Sequence, residues 1–544
     1  MVDVTEDRIC YFDCYAAIGP LPQRDPWSIW SAEQVLAALR RCYIDAALVY
    51  SPLAHAVHPQ VGNPLISEIC AKEPCLYPCW VGMPAATGEV SPPKKFVAEM
   101  DQAGVNALKL FPRYHTYPVD SLHTRELLEA LEDAGKLVIF DAGQYGDAVQ
   151  ISWPEIAWVC EAFPHLHVLL HGVRWEATRT LAPMMDRYEN LYIEFSNYQG
   201  NRMLEFYCQR IGSNRLLFGS ELPAKSPGAA RSYIDYAEIS AEEKKAIAGG
   251  NLLRLLNAAW PEKTAAEFPA DAISGRALQG LPIDDMEVID AHAHIVQKGG
   301  RGAAMVAMNE ADAEAVVRRN RRLGVQRTCV SAWTAIWSDH ELGNRDTLQA
   351  MKELPGEIVG YAAINPLYVQ DWQQTLVYYH QLCGFTGMKP YYPRWRIPYN
   401  DPLFDPWYEY GNRHHLFCLL HASDNFTVEV RDLAARFPDI NFLLAHSGAS
   451  WTAARSQTAL AKEFPNVFLE ITYTSVLEGV IEYMVHEVGS ERVLYGSDAP
   501  MRDPCPQFGW VAFADLSEEE KRNILGRNMA RILARVQLPG HSQR

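Results

Sequence analysis

The 544-residue chain has no apolar run of the roughly 18 to 20 residues that would span a bilayer. Its first residues, Met1-Val-Asp-Val-Thr-Glu-Asp7, lack the basic start and apolar core of a secretory signal. Positive charge is also scarce. A net charge of −17 argues against nucleic acid or an anionic membrane as the main partner. An anionic small molecule stays open, because a pocket can be basic in an acidic protein. Neither half shows a Gly-rich phosphate loop after its first strand, which counts against an open dinucleotide-binding sheet. The twelve cysteines are scattered. Cys10 with Cys14, or Cys75 with Cys79, finds no second paired cluster to complete a zinc ribbon. Reduced, mostly buried thiols in a cytoplasmic protein are the expectation.

What is present is the composition of a globular protein, 48% hydrophobic and 21% charged. The length fits two domains of roughly 250 residues. The two halves repeat. Tyr15 and His292 stand 277 positions apart, as do Glu221 and Asp498, and Asn251 and Asn528. Between these anchors Gly62-Asn63 pairs with Gly343-Asn344, Lys109 with Lys389, and Asp141 with His421. A constant offset over half the chain means two copies of one domain. The expected division is a first copy over 1–260, a linker rich in Pro, Gly and charge over 261–285, and a second copy over 286–544.

In the second copy short apolar runs alternate with amphipathic stretches. Strands are expected near 288–290, 327–330, 359–364, 387–389, 417–421, 442–446, 467–471 and 493–495, with helices between most of them, such as 311–323 and 428–437. Continuous apolar strands alternating with helices predict an α/β fold, two tandem (β/α)8 barrels of the TIM type. In that fold the active site lies at the C-terminal strand ends, where His292, His294, Lys389, His421, His446 and Asp498 all fall.

Three strings carry the chemistry: Asp290-Ala-His-Ala-His294, Leu444-Ala-His446-Ser-Gly448 and Gly496-Ser-Asp498-Ala-Pro500. His292 and His294 are two apart, so on a strand they share a face. With His421, His446 and Asp498 they form a set of borderline nitrogen and hard oxygen donors. Such a set suits one divalent ion, Zn2+ best, with Mn2+ or Fe2+ as alternatives.

These motifs resemble those of the amidohydrolase superfamily, in particular the amidohydrolase-related group with aminocarboxymuconate semialdehyde decarboxylase and sugar lactonases. The resemblance runs over nearly the whole chain, twice. It implies a mononuclear metal held by His292, His294, His421 and Asp498. Asp498 would also handle a proton, and His446 would act as a catalytic group. The favoured expectation is hydrolysis of a small polar or carboxylated ester, lactone or amide by metal-activated water. Nonoxidative decarboxylation by the same residues is the alternative, and a noncatalytic ligand- or partner-binding protein is a third reading. Lys389, Tyr391, Arg394, Arg396 and Arg502 are the substrate-binding candidates, the basic ones for a carboxylate and the aromatic one for a flat ring. Asn344 and Asn528 read as helix caps or turn residues.

In the first copy Tyr15 and Ala17 replace the histidine pair, Asp141 replaces His421 and Glu221 replaces Asp498. His171 reads as the retained counterpart of His446, at a slightly different offset. One active centre is therefore expected, in the second copy. A barrel–barrel contact within the chain, or a homodimer, is the expected assembly.

Overall fold

The computed structural model describes residues 8–21, 24–142, 151–261, 270–472 and 475–539. The chain forms two compact units, the first ending at Ala270 and the second beginning at Asp271, except that Gly200–Arg202 group with the second. The helix Ala272–Leu278 falls inside the stretch expected as linker.

The first unit carries eight strands in sequential order: β1 Phe12–Ala17, β2 Ala46–Tyr50, β3 Leu76–Gly82, β4 Ala107–Leu110, β5 Leu137–Asp141, β6 His167–His171, β7 Leu191–Glu194 and β8 Leu216–Leu217. All neighbouring pairs are parallel. The sheet closes on itself after β8, where Cys14 N–H donates to Phe218 O at 2.9 Å and Ala17 N–H to Leu222 O at 2.8 Å.

The second unit repeats the plan. Its strands are β9 Val288–Ile295, a hairpin of β10 Gly302–Ala303 and β11 Val306–Ala307, then β12 Val325–Ala332, β13 Ile358–Ala362, β14 Gly387–Met388, β15 Phe417–Leu420, β16 Asn441–Leu444, β17 Val467–Glu470 and β18 Val493–Leu494. Apart from the hairpin, the eight strands pair in parallel in the order β9, β12 to β18. Closure is by Ala291 N–H to Tyr495 O at 3.0 Å and His294 N–H to Ala499 O. Every expected strand is found at its place. The two helices named in advance run over Ala313–Arg321 and Phe426–Arg436.

The strands read as unbroken apolar runs because helices cover the outside and side chains fill the inside. All eight residues of β9 are buried. Ile289, Tyr361, Phe417, Leu419, Leu443 and Leu494 meet inside the barrel with Met529 and Ile532 of the closing helix Asn528–Arg535. Each such side chain contributes about 1.5–3 kcal/mol by leaving water.

Several residues shared by the two copies hold this frame. Asp290 accepts hydrogen bonds from His292 N–H, Ser497 N–H, the Ser497 hydroxyl and Asn320, and so ties β9 to the segment after β18. Asp13 does the same with Tyr15 N–H, Ser220 N–H and the Ser220 hydroxyl. The repeated Gly-Asn pair is also structural. A Cβ on Gly62 or Gly343 would lie 2.2 Å from Ala54 N or 2.0 Å from Ala335 N, so only glycine lets the two helices touch. Asn344 lies inside the helix His340–Glu353 and is not a cap. Its amide clamps Ala363 N–H and C=O, as Asn63 clamps Val81. Asn528 likewise donates to Ser490 O and Val493 O instead of capping.

Candidate metal centre

His292 and His294 occupy the inward face of β9, and both are buried. His421 follows β15 by one residue, and its backbone N–H donates to Tyr399 Oη. His446 lies two residues past β16 with φ +61°, and Asp498 four past β18 with φ +60°. These left-handed turns re-aim both side chains at the barrel axis, a backbone cost of about 1–3 kcal/mol each that is common at functional sites. Ligand atoms of His292, His294 and Asp498 lie within 4.8 Å of one another, as do those of His292, His421 and His446. His292 belongs to both groups and joins them.

The imidazoles are oriented from behind. Nδ1 of His292 faces Glu470 Oε2 at 2.9 Å, Nδ1 of His294 faces Ser331 O at 3.2 Å, and Nδ1 of His446 faces Thr472 O at 2.9 Å. A carbonyl only accepts, so Nδ1 of His446 carries its hydrogen; His292 shares one with Glu470, whose pKa burial raises to about 8, and Nδ1 of His294 also meets the Ser331 hydroxyl at 3.3 Å. These partners fix the ring orientations from behind, as outer partners of metal-binding histidines do, and Nε2 of His292 meets Lys389 Nζ at 3.1 Å. Nδ1 of His421 is buried with no partner among the described residues.

Burial, followed by the positive charge of Lys389, holds His292 and His421 well below the ordinary histidine pKa. Burial brings His446 down to about 4 and also lowers His294. Burial opposes ionisation of Asp498, but its hydrogen bond to His294 and the positive charges of His294, His446 and Arg502 bring it to about 2. Nε2 of His294 and Oδ1 of Asp498 face each other at 3.3 Å. A proton on His294 closes this contact as the hydrogen bond that lowers Asp498, and a divalent ion held between the two would take the same place.

With this geometry the sequence match is decisive: a family model described as Amidohydrolase matches residues 81–258 and again 289–535. The chain belongs to the amidohydrolase family. Its members are metal-dependent enzymes that use a divalent ion. No curated protein matches this amidohydrolase. Solved structures similar to it include a dihydroxybenzoic acid decarboxylase from Polaromonas sp. JS666 with bound manganese and 2-nitroresorcinol (14% identity, 46% of this chain, 97% of that one, TM-score 0.38). Another is 5-carboxyvanillate decarboxylase from Sphingomonas paucimobilis (16% identity, 46% and 99%, TM-score 0.37). A third is an amidohydrolase from Burkholderia multivorans with bound HEPES (15% identity, 46% and 99%, TM-score 0.37).

The substrate-binding candidates separate. Lys389 reaches the centre of the amidohydrolase barrel, with Nζ 3.1 Å from His292 Nε2, and burial pulls its pKa down to about 7. Tyr391 packs edge-on to His421 at 5.0 Å between centroids. Arg502 is buried, and its charge acts on both Asp498 and His446. Arg394 instead stacks on Trp337 at 3.5 Å, and Arg396 turns over Tyr392 at 5.5 Å; both arginines are exposed.

Sequence reasoning missed Glu470 and the tryptophan pair. Trp333 lies 6.0 Å from His294 and stacks on Trp337 at 4.8 Å, giving an aromatic row that runs outward to Arg394. The recurrence of Glu470 as Glu194 in the first copy was the available signal. The pairing of His171 with His446 is corrected. His171 is the last residue of β6, and it is Gly172, with φ +67°, that has the backbone of His446. The imidazole has moved one residue earlier, into the barrel.

Proposed function

We propose that the second barrel is a mononuclear metal-dependent hydrolase of a small carboxylated ester, lactone or amide. The reading rests above all on the gathering of His292, His294, His421, His446 and Asp498 at strand ends of one barrel, in two overlapping groups whose ligand atoms lie within 4.8 Å. His292, His294, His421 and Asp498 would hold the ion. A His-rich set with one carboxylate suits Zn2+, with Mn2+ as the runner-up. A bound divalent ion supplies Lewis acidity and makes a water acidic enough to attack near neutral pH.

The chain's own groups supply the rest. Asp498 is the proton acceptor for the attacking water. His446 keeps its hydrogen on Nδ1, so its Nε2 relays to the leaving group the proton that Asp498 took from the water, which leaves Asp498 ionised again. The buried Arg502 guanidinium binds the substrate carboxylate, and Lys389 supplies a second basic contact from the barrel floor. Tyr391, Trp333 and Trp337 wall the entrance and exclude water.

The same aromatic row and buried arginine favour one second reading, decarboxylation of a planar aromatic acid. Purification with excess zinc or manganese should yield one tightly held ion per chain, lost in H292A/H294A. A metal-free protein from that preparation would refute both readings. Lactones and carboxylated esters assayed for acid release, beside aromatic acids assayed for CO2, separate the two: CO2 without acid release rejects the hydrolase.

A further inference from the structure

The first barrel has a centre of its own, built around a lysine. Lys109 follows Ala107 and Leu108 in β4 and is fully buried. Its Nζ lies 3.3 Å from Asp141 Oδ2 and 3.2 Å from His171 Nδ1. It also sits over three aromatic rings, 4.0 Å from the centroid of Tyr15, 4.7 Å from Tyr50 and 5.1 Å from Phe111. A carboxylate, an imidazole nitrogen and three ring faces form the surroundings a primary ammonium seeks, through N–H donors and cation–π attraction.

The groups that could have met a metal are committed elsewhere. Tyr15, in place of His292, donates to Asp141 at 3.0 Å and stacks on His171 at 4.1 Å. Glu221, in place of Asp498, pairs with Lys225 at 2.9 Å and accepts from Asn197 at 2.6 Å. His171 is held neutral by burial and by the Lys109 charge. Because its Nδ1 accepts from the ammonium, its hydrogen sits on Nε2, and neither nitrogen in that form offers a lone pair to a metal. In the second barrel the matching Lys389 pairs with no carboxylate among the described residues, since His421 stands where the first barrel has Asp141. One change of ligand, histidine to aspartate, thus converts a displaced lysine into a paired one.

We propose that the centre of the first barrel is a primary-ammonium site filled by the chain's own Lys109, a tethered cation that takes the place of a metal ion. Its residues do not fit a divalent ion, which would have to displace Lys109 from Asp141 and Lys225 from Glu221. The barrel then keeps its centre intact without metal. Replacing Lys109 by alanine leaves a void the size of propylammonium, with the acceptors still in place.

The test uses the full-length protein. Lys109→Ala should lose hydrogen-exchange protection in peptides covering β4 to β6 by at least about tenfold, as expected when a buried pair is broken. Propylammonium chloride should restore it, whereas tetramethylammonium, which has no N–H, should not. Lys109→Met should be equally impaired and gain nothing from propylammonium. Normal protection in Lys109→Met, or equal effects of propylammonium on Lys109→Ala and wild type, would overturn the proposal. A zinc titration covers the case in which these variants do not fold. The H292A/H294A/H421A/D498A protein, with Lys109 intact, should take up no tight equivalent, and uptake of one would also overturn the proposal.

Discussion

The carboxylate of Glu470 lies 2.9 Å from Nδ1 of His292, a residue 178 positions earlier in the chain. Glu470 is fully buried and also accepts from Thr472 N–H at 2.7 Å and from the Thr472 hydroxyl. It therefore holds the ring angle of His292 and shares one hydrogen with it, its own pKa raised by burial to about 8. Glu470→Leu should weaken metal binding about 10- to 100-fold, as loss of an outer partner does elsewhere. Competition with a chelator measures this, and unchanged affinity would remove Glu470 from the site.

Asp498 is the only carboxylate in the described ligand groups. Asp498→Asn keeps the shape but cannot take a proton. It should lower kcat about a thousandfold while KM changes little. Steady-state kinetics on metal-loaded protein, with metal content measured alongside, distinguish lost proton transfer from lost metal.

Arg502 is buried next to Asp498, and its proposed partner is the substrate carboxylate. Arg502→Met should raise KM about 10- to 100-fold for carboxylated substrates, equivalent to one charge-assisted pair. Neutral substrates of the same ring size should be much less affected. Equal losses for both would mean that Arg502 only supports Asp498.

His380 offers a pH test away from the metal centre. Its Nδ1 donates to Phe385 O at 2.7 Å, and its Nε2 accepts from Trp407 Nε1–H at 2.9 Å, so both nitrogens are committed in the neutral form. Burial lowers its pKa to about 4. The stability this contributes is complete above the unfolded value near 6.5 and is lost as pH falls toward 4. The loss should reach about 2 kcal/mol at pH 5. The stability gap between wild type and His380→Gln, measured by urea unfolding, should therefore narrow by that amount between pH 7.5 and 5. A constant gap would contradict the assignment.

Much of this was legible in the residues. The eight strands of the second barrel were readable because each is an apolar run buried on both faces. The His292/His294 pair was readable because strand geometry puts alternate residues on one side. The change of residue type in the first copy was readable because the offset holds at Tyr15 and Glu221. Less legible were residues whose roles depend on distant partners. Arg394 and Arg396 were grouped with Arg502 because all three follow strands. Arg394 stacks on Trp337, and Arg396, in a left-handed turn with φ +56°, lies over Tyr392, whereas Arg502 is buried.

The sequence by itself determined the architecture, the duplication and the half that carries the candidate ligand residues, because those depend on periodicity and on residue type at a fixed spacing. Only the tertiary structure decided how the imidazoles are turned. It alone showed that Glu470, Ser331 and Thr472 stand behind them, that the first copy's imidazole moved from the position of Gly172 to His171, and that Lys109 sits against Asp141. Hydrogen position and ion pairing are set by atoms far apart in the chain and about 3 Å apart in space, a relation no local pattern records.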